Sequence, residues 1–211
     1  MEPIISGSVE AYMQGLIPPR DAVLEEMEEF AAQNRVPIVG PLVGRVLYQL
    51  ARLVDAGRVF EMGSAIGYST IWFARALRPG GKVYYTDGSP SNAAKANDYA
   101  KRAGVRERIE ILTGNALDLI DQAEGEFDVI FNDVDKHYYP DVYRRAAGRV
   151  RTGGLFVADN VLWSGRVADP SVSDDDTKGV RSFNKLLFAD DRYYSTVSPL
   201  RDGLAIGLRV R

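Results

Sequence analysis

The sequence predicts a single α/β domain built on a seven-stranded mixed sheet, with helices on both faces. Two observations support this prediction. From residue 55 onward, short apolar segments alternate with amphipathic ones, which is typical of five parallel strands joined by helices. Near the C-terminus, two apolar segments flank the turn Asp202-Gly203, as expected of an antiparallel hairpin. A length of 211 residues suits one domain.

The predicted elements follow in order along the chain. Two amphipathic helices at residues 21–33 and 43–54 are separated by Pro37 and Pro41. The core strands are predicted at 58–62, 82–86, 109–113, 127–132, 155–158, 193–198 and 204–210, and the core helices at 68–77, 91–103, 116–122, 140–150 and 177–187. Turn signals at Pro79-Gly80-Gly81 and Thr152-Gly153-Gly154 precede two of the strands. We expect residues 1–54 to cover the functional site or form a dimer interface, and residues 55–211 to form a cofactor-binding core.

Composition excludes several classes of protein. The chain has no cysteine and a single histidine, His137, so thiolate chemistry is absent and a Ser-His-Asp triad is hard to build. No apolar run approaches the roughly 18 residues of a membrane span, and the N-terminus lacks the blocks of a signal peptide. A cytoplasmic location is therefore expected. The net charge of -3 gives no basic footprint for nucleic acid.

Polar side chains follow two of the predicted strands. Asp133 comes directly after residues 127–132, and Asp159-Asn160 follows residues 155–158. Open α/β sheets place their ligands at such strand ends. Carboxylate and amide oxygens suit Mg²⁺, with Mn²⁺ or Ca²⁺ as alternatives, rather than zinc. The sequence thus predicts a metal site, although solvated carboxylates that cap the following helices are the alternative interpretation.

Lys136, three residues after Asp133, is a possible catalytic base. The alternative is an exposed lysine that pairs with Asp135. Trp163 is a candidate wall of the substrate site or a packing residue of its loop, and the pair Tyr138-Tyr139 is expected to anchor the next helix. His137 is expected in a loop near the site and not as a metal ligand.

A glycine turn joins the first predicted strand to its helix. Gly63 permits a tight turn, and Gly67 allows the backbone to approach a ligand closely. Ser69 opens the helix where amide groups can hold a carboxylate. Asp87 ends the next strand at the spacing of an acidic residue that binds ribose hydroxyls. Alternatively, the glycines serve only the turn and Asp87 caps the following helix.

This turn differs from the dinucleotide-binding motif. It reads G-x-x-x-G and lacks the second glycine that a pyrophosphate needs. Glu61, just before it, would repel a phosphate but can contact an ammonium group. S-adenosylmethionine has a ribose, an amino-acid tail and no phosphate, so it fits better than NAD.

These motifs together resemble the cation-dependent O-methyltransferases, which include catechol and caffeoyl-CoA O-methyltransferases. The resemblance is carried by Glu61-x-Gly63-x-x-x-Gly67-Tyr68-Ser69, Asp87, Asp133-x-Asp135-Lys136 and Asp159-Asn160-Val161-Leu162-Trp163-x-Gly165. It extends from about Val36 to the C-terminus and includes Ser182-Phe183-Asn184 and Arg201-Asp202-Gly203-Leu204. Asn132 and Val134 depart from the isoleucine or valine and the alanine common in bacterial relatives. The resemblance implies a Rossmann-like fold and a homodimer.

The resemblance also implies roles for individual residues. Glu61 and Gly63 would line the methionine end of the cofactor, while Ser69 and the backbone near Val39 would bind its carboxylate. Asp87 would take the ribose, and the turn Gly114-Asn115-Ala116 would border the adenine. The rest of the expected cofactor set is Ser64, Gly67, Tyr68 and Asp133. Asp133, Asp159 and Asn160 match the family's metal ligands, and Lys136 matches its proposed base. We expect Asp133 to be a catalytic residue as well as a metal ligand.

We therefore expect an O-methyltransferase that depends on S-adenosylmethionine and a divalent metal. The expected acceptor is a phenolic small molecule with vicinal hydroxyls, either catechol-like or hydroxycinnamoyl. Three alternatives remain: a methyltransferase for a hydroxylated tRNA uridine, a catalytically idle cofactor-binding protein, and a nicotinamide oxidoreductase. The acidic net charge weighs against tRNA as the substrate.

Overall fold

Seven strands form one sheet in the computed structural model, which describes residues 4–211. The strands are β1 (Arg58–Met62), β2 (Lys82–Asp87), β3 (Ile109–Thr113), β4 (Phe127–Asn132), β5 (Val150–Ala158), β6 (Tyr193–Ser198) and β7 (Leu204–Arg209). The helices are α1 (Gly7–Leu16), α2 (Ala22–Asn34), α3 (Gly40–Leu53), α4 (Tyr68–Ala76), α5 (Pro90–Arg102), α6 (Ala116–Gln122), α7 (Tyr139–Ala146) and α8 (Asp175–Ala189).

The strand order is β3-β2-β1-β4-β5-β7-β6. Strands β1 to β5 are parallel, whereas β7 pairs antiparallel with both β5 and β6. The predicted fold class, five parallel strands with a terminal antiparallel hairpin, is therefore confirmed. The order reverses between β1 and β4, and ligands of open α/β sheets bind in the crevice at such a reversal.

Apolar clusters cover both faces of the sheet, as predicted. One face packs against α3, α4 and α5 through residues such as Leu47, Ile71 and Phe73. The other packs against α6, α7 and α8 through residues such as Ile120, Tyr143 and Phe183. Within residues 4–211, no helix combines the length and the hydropathy that a membrane-spanning segment needs.

Several predicted boundaries were wrong. Helix α1 was not predicted, and none of its residues is buried. The helix expected at 140–150 ends at Ala146, and β5 already begins at Val150. Thr152-Gly153-Gly154 is not a turn but an irregular part of β5, where the pairing with β4 shifts register. Gly154 suits this place, since a Cβ there would lie 2.7 Å from the Asp128 carbonyl oxygen.

Candidate active site

The sheet register brings the two predicted carboxylates together. Met62 of β1 pairs with Asn132 of β4, and Asn132 pairs with Ala158 of β5. The ladder continues one residue further, because the Asp133 N–H donates to the Met62 carbonyl at 2.8 Å and the Asp159 N–H to the Asn132 carbonyl at 3.2 Å. Asp133 and Asp159 therefore leave adjacent strands side by side at the carboxyl edge of the sheet.

Lys136 is buried against this pair rather than exposed on the surface. Its Nζ donates to Asp133 Oδ1 and to the Tyr139 hydroxyl, each at 2.9 Å. The Tyr139 hydroxyl in turn donates to the Asp159 carbonyl at 2.9 Å. Only 8% of Lys136 is exposed, so the alternative of a surface lysine paired with Asp135 does not describe this geometry. Its Nζ is held between the two strand ends.

Burial disfavours the charged forms of both carboxyl groups. Burial raises the pKa of Asp133, and contacts with Lys136 and Arg201 offset this only in part. Burial and the nearby Asp133 also raise the pKa of Asp159. Asp159 Oδ1 is also buried without a hydrogen-bond partner among the described residues. An oxygen of this kind is costly to bury unless a ligand meets it.

This donor set fits a hard divalent cation. Residues 4–211 contain no group of three or more His, Cys, Asp or Glu side chains arranged to hold a metal ion. The groups at the carboxyl edge that would hold a metal are the two carboxylates and the Asn160 amide, all of them oxygen ligands of the kind that Mg²⁺ prefers.

The loop after β5 holds Asn160 in a left-handed conformation. Asn160 has φ of 55°, a region that asparagine tolerates better than most residues. The following residues are fastened to the β6–β7 turn: the Val161 N–H donates to the Gly203 carbonyl at 3.0 Å, and the Leu162 N–H to the Asp202 carbonyl at 2.9 Å. The hairpin thus supports the loop that carries two of the predicted metal ligands.

The glycine turn passes close to the backbone of Asp133. Gly63 has φ of 85°, and a Cβ there would lie 2.6 Å from the Asp133 carbonyl oxygen, so only glycine fits. Gly67 also has φ of 85°, but a Cβ at this position would lie 2.9 Å from the Cβ of Ala96 in α5. The reason for Gly67 is therefore helix packing as much as any approach to a ligand.

Asp87 braces the glycine turn. Its carboxylate accepts hydrogen bonds from the Ala65 N–H at 3.0 Å, the Ser89 N–H at 2.8 Å and the Asn92 side-chain amide at 3.1 Å. The N-cap of α5 is Ser89, not Asp87. Asp87 also lines the central cavity, so bracing the turn leaves it accessible to a ligand.

Glu61 is fully buried beneath the turn. Its Oε2 accepts a hydrogen bond from the Thr70 hydroxyl, whereas its Oε1 has no partner among the described residues. Burial raises the pKa of Glu61 to about 7, against smaller opposite effects of the nearby Ser69, Thr70 and Ser64 hydroxyl groups. A cation placed above this carboxylate would satisfy it.

A cavity of about 1160 Å³ connects these groups. Nine of the predicted site residues line it: Gly63, Asp87, Gly114, Asn115, Ala116, Asp133, Lys136, Asp159 and Asn160. Six others are buried and do not line it: Val39, Glu61, Ser64, Gly67, Tyr68 and Ser69. Trp163 also lines the cavity, with its ring centroid 5.8 Å from Lys136 Nζ. The exposed His137 pairs with Asp176 instead, through Nδ1 at 3.1 Å.

Three features of the site were missed from the sequence. Tyr139 was assigned to helix anchoring, yet it also orients Lys136. Helix α2 lines the cavity through Glu28, Ala31 and Ala32, whose spacing of three and four residues places them on one face of the helix. Arg201 lies in the β6–β7 turn, lines the cavity and donates to the Ile38 and Val39 carbonyls. In the sequence, Arg201 was noted only as part of the Arg201-Asp202-Gly203-Leu204 motif, without a role in the site.

Known proteins share this architecture over nearly the whole chain. A catechol O-methyltransferase of Niastella koreensis is 34% identical over 212 residues, which cover 95% of this chain and 96% of the relative. A caffeoyl-CoA O-methyltransferase of Eucalyptus gunnii is 32% identical over 202 residues, with 89% and 81% covered. An O-methyltransferase from Bacillus cereus, solved in complex with SAH, superimposes with a TM-score of 0.88 at 32% identity and covers 96% of this chain and 97% of its own.

The sequence profile of one family matches almost the complete chain. This family is described as O-methyltransferase, and the match runs from residue 18 to residue 210. The resemblance stated from the motifs is thereby confirmed, and the chain is an enzyme that belongs to the O-methyltransferase family.

Proposed function

We propose that this O-methyltransferase transfers the methyl group of S-adenosylmethionine to one of two adjacent hydroxyls of a phenolic small molecule, with a divalent cation bound at the acceptor. The observation that carries the proposal is the buried pair Asp133 and Asp159, with an unpartnered carboxylate oxygen beside Asn160 and Lys136. The names of the relatives, catechol and caffeoyl-CoA O-methyltransferase, point to the same acceptor class.

The cavity is large enough for two ligands. Its volume of about 1160 Å³ exceeds the roughly 300–1,000 Å³ of a typical single-ligand pocket. Gly63, Asp87 and the turn at residues 114–116 line one end, while Lys136, Asp159 and Trp163 line the other. We assign the first end to the cofactor and the second to the acceptor. Asp133 lies between them and serves both.

Asp133, Asp159 and Asn160 would hold the cation. A divalent cation at this place supplies Lewis-acid stabilisation of the negative charge that develops on the acceptor oxygen. The protein side chains contribute position: the strand ladder fixes both carboxylates, and the hairpin turn fixes the loop at Asn160. Mg²⁺ is the cation that this oxygen set favours.

Lys136 takes the proton of the attacking hydroxyl. A lysine acts as a base in its neutral form, and the contacts with Asp133 and Tyr139 keep Nζ at the acceptor end of the cavity. As the O–CH₃ bond forms, the S–CH₃ bond of the donor breaks, and S-adenosylhomocysteine leaves with the electron pair on sulfur. Holding both reactants in one cavity lowers the entropic cost of this step.

The N-terminal helices close the cofactor end of the cavity in this proposal. Glu28 of α2 accepts a hydrogen bond from the Tyr68 hydroxyl at 2.7 Å, which connects α2 with the first residue of α4. We also propose a homodimer through these helices, because α1 leaves Val9, Tyr12 and Leu16 exposed. The molar mass in solution, measured by light scattering, tests this.

The experiment is incubation of the chelator-treated protein with labelled S-adenosylmethionine and pairs of phenols that differ by one hydroxyl. We expect labelling of vicinal diphenols but not of the matched monophenols, and only after Mg²⁺ or Mn²⁺ is added. Asp159→Ala should lower the rate at least about 100-fold, as loss of a metal ligand does. The control is Asp141→Ala, an exposed carboxylate paired with Arg144.

Lys136→Met should lower kcat by about 100-fold or more, the usual contribution of a general base. The control is Lys185→Met, a lysine exposed on α8. Full activity of Asp159→Ala, or of the wild-type protein in excess chelator, would contradict the metal role. Methylation of tRNA without methylation of any diphenol would replace the proposed acceptor class.

A further inference from the structure

We propose that Arg181 is a positioning residue that fixes the distal part of the loop between β5 and α8, residues 166–172, and thereby shapes the acceptor end of the cavity. The inference rests on the proposed function, because that loop carries Asp159, Asn160 and Trp163.

The side chain of Arg181, in α8, donates hydrogen bonds to four backbone carbonyl oxygens in the distal half of the loop. Its Nε donates to the Val167 carbonyl at 2.9 Å, and its Nη1 to the Val172 carbonyl at 2.7 Å. Its Nη2 donates to the Arg166 carbonyl at 2.8 Å and also to the Asp169 carbonyl. A planar guanidinium presents these donors in a fixed fork, which lysine cannot reproduce.

The loop needs side-chain hydrogen-bond donors because its backbone is irregular. Trp163, Ser164 and Gly165 all have positive φ, at 47°, 51° and 76°. Carbonyl oxygens in a segment of this kind have no ladder partners, so they require side-chain donors or water. Arg181 supplies the donors, and the ion pair of Arg166 with Asp174, at 2.6 Å, joins the loop to the start of α8.

The positioned segment reaches the acceptor end of the cavity. Val167 and Trp163 both pack against the apolar cluster on the α7 and α8 face of the sheet. Trp163 lines the cavity, and its buried Nε1 has no hydrogen-bond partner among residues 4–211. A shift of the backbone at 166–172 therefore moves the Trp163 wall, while the cofactor end, built from β1, β2 and β3, stays in place.

The chain offers a matched control in Arg149. Its guanidinium also donates hydrogen bonds to backbone carbonyls, namely those of Ile120, Ala123 and Gly125. These belong to the connection that precedes β4, at the amino edge of the sheet and away from the cavity. Arg149→Lys removes the same kind of interaction as Arg181→Lys, but in a place where no substrate binds.

The kinetic test compares these two variants with wild-type protein. We expect Arg181→Lys to raise the KM for a vicinal diphenol about tenfold, as the loss of one or two charge-assisted hydrogen bonds would. The KM for S-adenosylmethionine and kcat should change less than about twofold, and Arg149→Lys should leave both KM values unchanged. In a Trp163→Ala background, Arg181→Lys should have a smaller effect, because both changes act on the same wall.

A second readout needs no activity. Trypsin can cut after Arg166, whose carbonyl is held by Arg181, and the fragment 167–211 reports this cleavage by mass spectrometry. We expect Arg181→Lys to speed the cleavage about tenfold under native conditions, whereas Arg149→Lys does not.

Wild-type cleavage and wild-type acceptor KM in Arg181→Lys would overturn the inference. So would equal changes in all kinetic constants that Arg149→Lys reproduces, since these would mark a general loss of stability. If the wild-type protein methylates no diphenol, the proposed function fails, and the cleavage rate still decides whether Arg181 fixes the loop.

Discussion

The buried carboxylates at the two edges of the sheet differ in how many of their oxygens have hydrogen-bond partners. At the amino edge, Asp128 accepts hydrogen bonds from the Gly57 and Arg58 N–H groups, each at 2.7 Å, and pairs with Arg151. At the carboxyl edge, Asp159 is similarly buried but leaves Oδ1 without a partner among the described residues. Both carboxylate oxygens of Asp128 have hydrogen-bond partners within the protein, whereas one carboxylate oxygen of Asp159 has none among the described residues.

The pKa values follow the same division. Burial alone would raise the pKa of Asp128, but Arg151 and the two backbone donors outweigh it and hold the pKa below its usual 3.8. At the other edge, burial raises the pKa values of Glu61, Asp133 and Asp159. Asp128 therefore stabilises the fold, whereas the burial of the other three carboxyl groups is compensated only in part and costs stability.

The largest expected effect is at the amino edge. Asp128→Ala leaves two buried N–H groups and the Arg151 guanidinium without their acceptor, so the free energy of unfolding should fall by about 3–5 kcal/mol. Urea unfolding at pH 7 measures it, with Asp141→Ala as the exposed control. In wild-type protein the Asp128 contribution is present above pH 3.8 and is lost as the pH falls further. A loss below about 1 kcal/mol would remove the contrast between the edges.

Glu61→Gln tests the carboxyl edge. Because the pKa of Glu61 rises from 4.5 to about 7 in the fold, the folded protein holds a proton that the unfolded chain releases. Stability should therefore fall as the pH rises from 4.5 through 7, and ionised Glu61 should cost roughly 3 kcal/mol above that range. The variant should lose this part of the slope in urea unfolding at several pH values. The exposed Glu110→Gln serves as the control, and an unchanged slope in Glu61→Gln would contradict the prediction.

Asp159→Asn should separate stability from activity. Replacing a buried, partly unpartnered carboxyl group with an amide should raise the unfolding free energy at pH 7 by about 1–2 kcal/mol in the absence of divalent cations. The methylation rate should nevertheless fall about 100-fold, since a ligand of the proposed metal is lost. Thermal unfolding and the labelled-donor assay measure the two effects, and a variant that is both less stable and fully active would reverse the interpretation.

The smallest expected effect concerns Asn132. Its side chain is fully buried beside Met62 and Ala158, and neither amide atom has a hydrogen-bond partner among residues 4–211. Asn132→Val should raise the unfolding free energy by about 1 kcal/mol, because burying an unpaired amide is costly. Urea unfolding measures it. A clear loss of stability instead would reveal a partner for the amide, such as a bound water.

The sequence by itself determined the features that depend on residues close together in the chain. Short apolar segments between amphipathic ones located all seven strands, and four of them, including β1 and β4, have the predicted bounds. Polar residues directly after β4 and β5 placed Asp133, Asp159 and Asn160 at one edge, because parallel strands end together. The glycine turn and Asp87 were found in the same way, from spacing alone.

Only the tertiary structure decided which distant residues complete the site. Arg201 meets the Val39 carbonyl across 162 positions, and Asp128 meets Gly57 across 71. Neither contact has a local pattern, since arginine and aspartate in turns and at strand starts are common. The burial of Lys136 was likewise undecided by sequence, because its environment depends on Tyr139 and on the neighbouring strand. Through-space partners like these arise from chain packing, which periodicity does not encode.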